Sequence, residues 1–102
     1  MCLLKKFFNY WKNMELKAKG SFYRDLSRFS NRELAIEVRK ILAQMMQAKN
    51  SSQIQNLQKL RKFEIHYRVK VLKDYRIGLV IHNNIITLVC FGHRNNFYKS
   101  FP

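Results

Sequence analysis

Three cations in the second half of the chain alternate with apolar residues in a way that suits the binding of phosphate. Arg68 and Lys70 flank Val69, and Arg76 sits between Tyr75 and Ile77. In a strand, residues at i and i+2 share a face, so such alternation gathers charge on one side. A guanidinium offers a planar fork of donors and an ammonium a compact charge, and both neutralise phosphate oxygens. The whole chain leans the same way: 20 Lys and Arg against 6 Asp and Glu give a formal net charge of +14 over 102 residues. Such an excess repels itself, and its common use is counterion release from, and steering towards, a nucleic acid backbone. An acidic protein or an anionic membrane would satisfy the same charge, and a solvated sheet face is the plain alternative for any strand cation. Nucleic acid leads among these partners.

Other chemistries are poorly served. Cys2 and Cys90 lie far apart, with no CxxC and no paired His/Cys spacing, so neither a disulfide framework nor a metal site is expected. Cys90 sits in an apolar run and reads as a small buried hydrophobe. That run, 85–91, is too short to cross a bilayer and contains Thr87. The start of the chain has Lys5 and Lys6 but no apolar core or small-residue cleavage site of a signal peptide. The expectation is a reduced, cytoplasmic protein of one domain, without cofactor.

The elements that must position the cations follow from periodicity. Residues 1–13 carry Leu3, Leu4, Phe7, Phe8 and Trp11 at helical spacing among lysines. They read either as a membrane-surface or partner-binding helix or as sequence ahead of a true start at Met14. The remaining domain, 14–102, opens with a short edge strand over 14–19. Gly20 and Ser21 break it, with Ser21 able to cap a helix on which Phe22, Leu26 and Phe29 form one face. Ser30-Asn31-Arg32-Glu33 has the form of a capping box and predicts a second helix. Leu34, Val38, Ile41, Leu42 and Met45 fall on its apolar stripe, and 49–52 end it with turn-prone residues. Met45 and Met46 read as core filler. His66 and His82 read as surface residues.

From Ile65 the period becomes two. Strands are expected at 65–72, 75–82 and 85–91, with Asn83-Asn84 as a two-residue hairpin turn because Asn tolerates positive φ. Pairing His82 with Ile85 then gathers Ile77, Leu79, Ile81, Ile86, Leu88 and Cys90 on one face, which the helices must cover. Arg76 points the other way. Arg68 and Lys70 join it only if the preceding loop is odd, and a three-residue loop at 73–75 achieves this. A slip of one residue would instead bury the charges. The fold class is α+β: an N-terminal helical hairpin packed on one face of a twisted antiparallel sheet of three to four strands.

Tyr67-Arg68-Val69-Lys70-Val71, Asp74-Tyr75-Arg76-Ile77-Gly78, Gly92-His93-Arg94 and Phe97-Tyr98 together resemble the RelE/ParE toxin superfamily of type II toxin–antitoxin systems. The resemblance is specific over 60–102, weaker but compatible over the helical hairpin, and does not reach 1–13. The family fold, two helices on a twisted antiparallel sheet, agrees with the periodicity.

The resemblance implies a ribosome-dependent mRNA endonuclease, in which a ribose 2′-OH attacks the adjacent phosphate to leave a cyclic phosphate and a 5′-OH. Such a reaction needs a base, cations for the crowded negative charge and an acid for the leaving oxygen, without metal. By resemblance, Arg68 and Lys70 match the two basic positions of the active strand, and Arg76 the phosphate-contacting arginine. Arg94 matches the C-terminal arginine and Tyr98 the base-stacking tyrosine. Arg68 replaces a lysine of RelE, and an arginine is a poor base. That leaves Lys70, whose neutral form neighbouring like charges would favour, or His93, an imidazole of the kind that titrates near neutrality. The implied partners are the ribosome, mRNA and an acidic, partly helical antitoxin, with a membrane disfavoured. The alternative within the superfamily is a ParE-like inhibitor of DNA gyrase with no nuclease activity, and a third reading is a toxin remnant that only binds RNA or its partner, or acts at a membrane through residues 1–13.

Overall fold

The β4–β5 hairpin is the frame on which everything else is hung. In the computed structural model, which describes residues 13–102, β4 spans Tyr75–His82 and β5 spans Ile85–His93. Asn83 and Asn84 join them at φ 52° and 64°, the left-handed pair that a tight two-residue hairpin requires. His82 faces Ile85 and Val80 faces Thr87, as the periodicity predicts. On β4's other side, β3 (His66–Val71) pairs antiparallel, with Val71 opposite Tyr75. The intervening loop is three residues long, 72–74, one position earlier than expected but with the required odd count. Arg68, Lys70 and Arg76 therefore share a face.

The sheet is larger than the sequence suggested and is mixed. Its order is β1-β5-β4-β3-β2. The edge strand β1 (Glu15–Ala18) runs parallel to β5, so the sheet is not purely antiparallel. The opposite edge is β2 (Leu57–Lys59), antiparallel to β3. Three residues, two of them polar, leave no alternation to read, and this segment looks like connector in the sequence.

Two helices cover one face. Helix α1 (Gly20–Ser27) starts directly after β1, and α2 (Arg32–Gln47) follows. Phe22, Leu34, Val38, Ile41 and Met45 pack against Val69, Val71, Ile77, Leu79, Ile86 and Leu88 in one core. Met46 instead points to solvent at 59% exposure, because it lies one residue, about 100° of helical turn, away from Met45 on the stripe. Both expected caps shift. Lys19 occupies the N-cap of α1, and the Ser21 hydroxyl donates to the Val89 carbonyl at 2.5 Å, tying α1 to β5. For α2 the cap is Asn31, whose Oδ1 accepts from the Leu34 amide at 3.1 Å, in place of a Ser30–Glu33 capping box. Asn caps at least as well as Ser, so the helix begins one residue later.

A bulge between Gly78 and Leu79 changes one assignment of face. Leu79 pairs with Leu88, but Gly78 pairs with Cys90, leaving Val89 as the extra residue. Phe91 thereby turns to the helices and Cys90 turns away from them, reversing the expectation for Cys90. The chain ends in a helix that strand periodicity did not foretell, α3 (Arg94–Ser100). Its Phe97 and the following Phe101 are 3% and 4% exposed, so they pin α3 across β4 and β5 on the face away from α1 and α2. There Phe101 lies over Gly78: a Cβ on that glycine would stand 3.0 Å from the ring and 2.6 Å from the Cys90 sulfur. The absence of a side chain at Gly78 is what lets α3 approach. No helix among the described residues is long and apolar enough to cross a membrane.

Candidate functional site

Strand order and register lay the cations out in rows across the face that carries α3. One row runs Gln58, Arg68, Gly78, Cys90, and the next runs Lys70, Arg76, Gly92. Lys70 is exposed and has no hydrogen-bond or ion-pair partner among the described residues. Arg68 is half-buried, and its guanidinium donates to the Gln58 side-chain oxygen on β2. Asn56, Leu57, Gln58, Arg68 and Lys70 enclose a shallow concavity of about 270 Å³. Gly92 adds no bulk beside Arg76, and a Cβ there would meet open space.

Arg76 differs from its neighbour in kind. It lies on the expected face but is only 7% exposed, so it is not the solvent-facing cation that strand parity alone suggested. Its Nη1 donates to the carbonyls of Lys73 at 3.0 Å and Tyr75 at 2.9 Å, while its buried Nε has no partner among the described residues. Arg94 approaches the same turn from the C-terminal side. Its amide donates to the Asp74 carbonyl at 2.7 Å, and its Nε lies 3.4 Å from Asp74 Oδ1. Half of the Arg94 side chain remains exposed. The 72–74 turn is thus held by two arginines, through two carbonyls on one side and through a carbonyl and a carboxylate on the other. Strand periodicity marked Arg76 but carried no sign of these acceptors.

Tyr98 projects from α3 at 50% exposure, with its ring edge-on to the buried Phe97 at 4.9 Å. Phe97 does the anchoring and leaves Tyr98 an accessible aromatic face. His93 is separated from the group. Register places it opposite Tyr75, on the side of α1 and α2, with the two rings 5.6 Å apart. Its Nδ1 accepts from the Asn95 amide at 3.1 Å and caps α3. An imidazole accepting at Nδ1 carries its neutral-form proton on Nε2, so the outward nitrogen is a donor and not a base. His66 is less exposed than expected, held between Phe63 and Phe101 at 5.2 and 5.7 Å. His82 is exposed, as read from the sequence.

A second cleft, about 250 Å³, opens between α1 and α3 and is lined by Asp25, Arg28, Cys90, His93 and Asn96 among others. Asp25 accepts from the Phe91 amide at 3.2 Å, closing the β5 edge beyond the end of β1. Burial, with the negative charge of Asp25 adding to it, pushes the Cys90 thiol up to about 11. The thiol therefore stays protonated and is no nucleophile at neutral pH. No group of three or more His, Cys, Asp or Glu residues among the described residues is arranged to hold a metal ion.

The fold that carries these residues is shared with solved structures. A chain of the RelB–RelE antitoxin–toxin complex from Methanococcus jannaschii superposes with a TM-score of 0.70 at 21% identity, covering 84% of this chain and 99% of that one. YafQ from E. coli superposes at 0.67 with 9% identity, covering 84% and 99%. A chain of a toxin–antitoxin complex from Mycobacterium tuberculosis gives 0.61 at 16% identity, covering 80% and 99%. No protein-family model matches the sequence, and no curated protein sequence matches it. The fold of this chain is RelE-like.

Proposed function

We propose that this chain is the toxin of a type II toxin–antitoxin pair and that it cleaves mRNA on the ribosome without metal. The observation that carries the reading is a cationic strip, Arg68 and Lys70, open to solvent among the described residues on a sheet of RelE-like fold, with Arg94 held at the neighbouring turn and Tyr98 exposed on the helix that crosses β4 and β5. Phosphate oxygens would be held by Arg68 and Arg94, whose charges are partly exposed. Tyr98 would stack on a base, the usual way in which single-stranded RNA is held. Lys70, when its amine is neutral, is the residue left to take the 2′-OH proton, since His93 is turned away and bound at Nδ1. Arg76 acts behind these groups, by fixing the turn that presents Asp74 and Arg94.

The partner that silences such a toxin is an acidic, partly helical antitoxin laid over the cationic surface, in keeping with the net charge of +14. The structural relatives named above are of RelE and YafQ type, which does not favour the ParE-like alternative. The deciding experiment expresses the chain and maps mRNA 5′ ends. Cleavage within translated codons, lost in Lys70→Ala and in Arg94→Ala, is the expected result. Growth arrest with intact mRNA and gyrase trapped on DNA would overturn it in favour of the gyrase reading.

A further inference from the structure

The Arg68–Gln58 contact has a chemical consequence for what can sit beside it. A guanidinium has donors only, so the Gln58 amide must turn its oxygen to Arg68 and its NH₂ away. Across β2 and β3 the pair is in direct register, which places both side chains side by side on one face. The amide therefore offers donors at the rim of the 270 Å³ concavity that it shares with Asn56, Leu57, Arg68 and Lys70. Asn56 enters β2 at φ 63°, and neither its side chain nor that of Lys70 has a partner among the described residues. Leu57, paired with the buried Val69, packs its side chain against the core, which leaves the rim polar.

We propose that this concavity is a nucleotide subsite in which Lys70 and Arg68 hold a phosphate and the Gln58 NH₂ reads the base. A donor selects bases that present acceptors on the edge it meets. At the exocyclic position of the base edge guanine offers O6 and uracil offers O4, where adenine and cytosine place an amino group; N7 accepts in both purines and does not discriminate. The subsite thus takes guanosine or uridine nucleotides. The inference rests on the RNA reading above and extends it to a residue, Gln58, and to a preference that the reading does not contain.

The test uses the full chain and the four nucleoside 3′,5′-bisphosphates, titrated while the side-chain NH₂ signals of Gln58 and the backbone amides of 56–58 and 68–70 are followed by NMR. Guanosine and uridine bisphosphates are expected to bind about three- to tenfold tighter than the adenosine and cytidine forms, the scale of one directed base contact. In Gln58→Glu the carboxylate still accepts from Arg68, which preserves the strand pair, but it has no donor to offer. That variant should reverse the order in favour of adenosine and cytidine. Lys70→Ala should weaken all four equally and reduce the salt dependence. Equal binding of the four bases, or an order untouched by Gln58→Glu, overturns the subsite and leaves the RNA reading standing. Binding of none of the bisphosphates, together with no mRNA cleavage, removes both. A response of the same signals to an acidic helical peptide but to no nucleotide makes the concavity a protein contact, and the nucleotide proposal falls.

Discussion

Lys70 and Arg76 stand directly opposite each other on neighbouring strands, carry the same charge, and are used in opposite ways. On the β2–β3 side of the face, Lys70 is exposed with no partner among the described residues, and Arg68 donates to the polar side chain of Gln58. On the β4–β5 side, α3 lies over the sheet, and Arg76 is buried with its guanidinium on the carbonyls of Lys73 and Tyr75. A buried charge is tolerated only where hydrogen bonds replace water, and the turn carbonyls supply them. Like charge on one sheet face therefore does not mean like function. One half of the face is free to meet a ligand, and the other half shapes the first.

The largest expected effect tests the free half. Lys70→Ala should lower mRNA cleavage by about 10²- to 10⁴-fold, the scale of a lost general base. It should leave the unfolding midpoint unchanged within error, since substitutions at exposed, unpartnered positions move stability by only about ±0.5 kcal/mol. A coupled fall in stability would show that Lys70 also holds the fold, and the contrast with Arg76 would dissolve.

Arg76→Ala should behave in the opposite sense. Two turn carbonyls lose a charged donor inside the protein, which costs about 2–4 kcal/mol. Activity falls with it, because the turn carries the residues that Arg94 grips. Urea unfolding of Arg76→Ala beside Lys70→Ala reads the contrast directly. An Arg76→Ala protein as stable as the parent but inert would move Arg76 from the turn to the substrate.

A smaller effect probes the covering helix. Gly78→Ala places a methyl against the Cys90 sulfur and the Phe101 ring, both within 3.0 Å. Neither can retreat without disturbing α3, so a loss of about 1–3 kcal/mol is expected. The exposure of Tyr98 and the accessibility of Arg76 should change with it, while Arg68 and Lys70 stay as they are. Hydrogen exchange along 94–101 would report whether α3 alone is loosened. If the amides of β2 and β3 respond as strongly, the two halves of the face are not separate.

How much of this was legible in the sequence depends on what each signal measures. The Asn83-Asn84 turn, the stripe Leu34-Val38-Ile41-Met45 and the parity that unites Arg68, Lys70 and Arg76 are all local periodicities, and each appears in the structure. The switch of face at Cys90 was not legible, because Val89, Cys90 and Phe91 are all apolar and a bulge among them leaves the pattern unmarked. Strand parity told which side Arg76 occupies but not what would cover that side. The covering helix is signalled only by Phe97 and Phe101, four residues apart at the end of the chain. Of the candidate site, Arg68, Lys70 and Arg76 share one face by register, Arg94 is tied to Asp74 in the neighbouring turn and Tyr98 stands on α3, whereas His93 is carried to the other face by one further step along β5. Gln58 escaped notice because β2 is too short to show an alternation.

The smallest effect concerns the seam between the halves. Asp74 presents a carboxylate to Arg94 at 3.4 Å, and both side chains are about half exposed, so the pair contributes less than about 1 kcal/mol to stability. Its influence on a ligand is a different matter. A phosphate arriving at Arg94 must compete with that carboxylate for the same donors, and it meets the repulsion of a like charge. Asp74→Asn removes both penalties while the Arg94 amide still donates to the residue-74 carbonyl, so the turn and the start of α3 keep their connection. The variant should bind an RNA oligonucleotide several-fold more tightly at low salt. The gain should fade as ionic strength approaches 1 M, where charges a few ångströms apart in solvent are screened. Weaker binding by Asp74→Asn would mean that the carboxylate aims Arg94 at the phosphate, and the seam would then belong to the working half of the face.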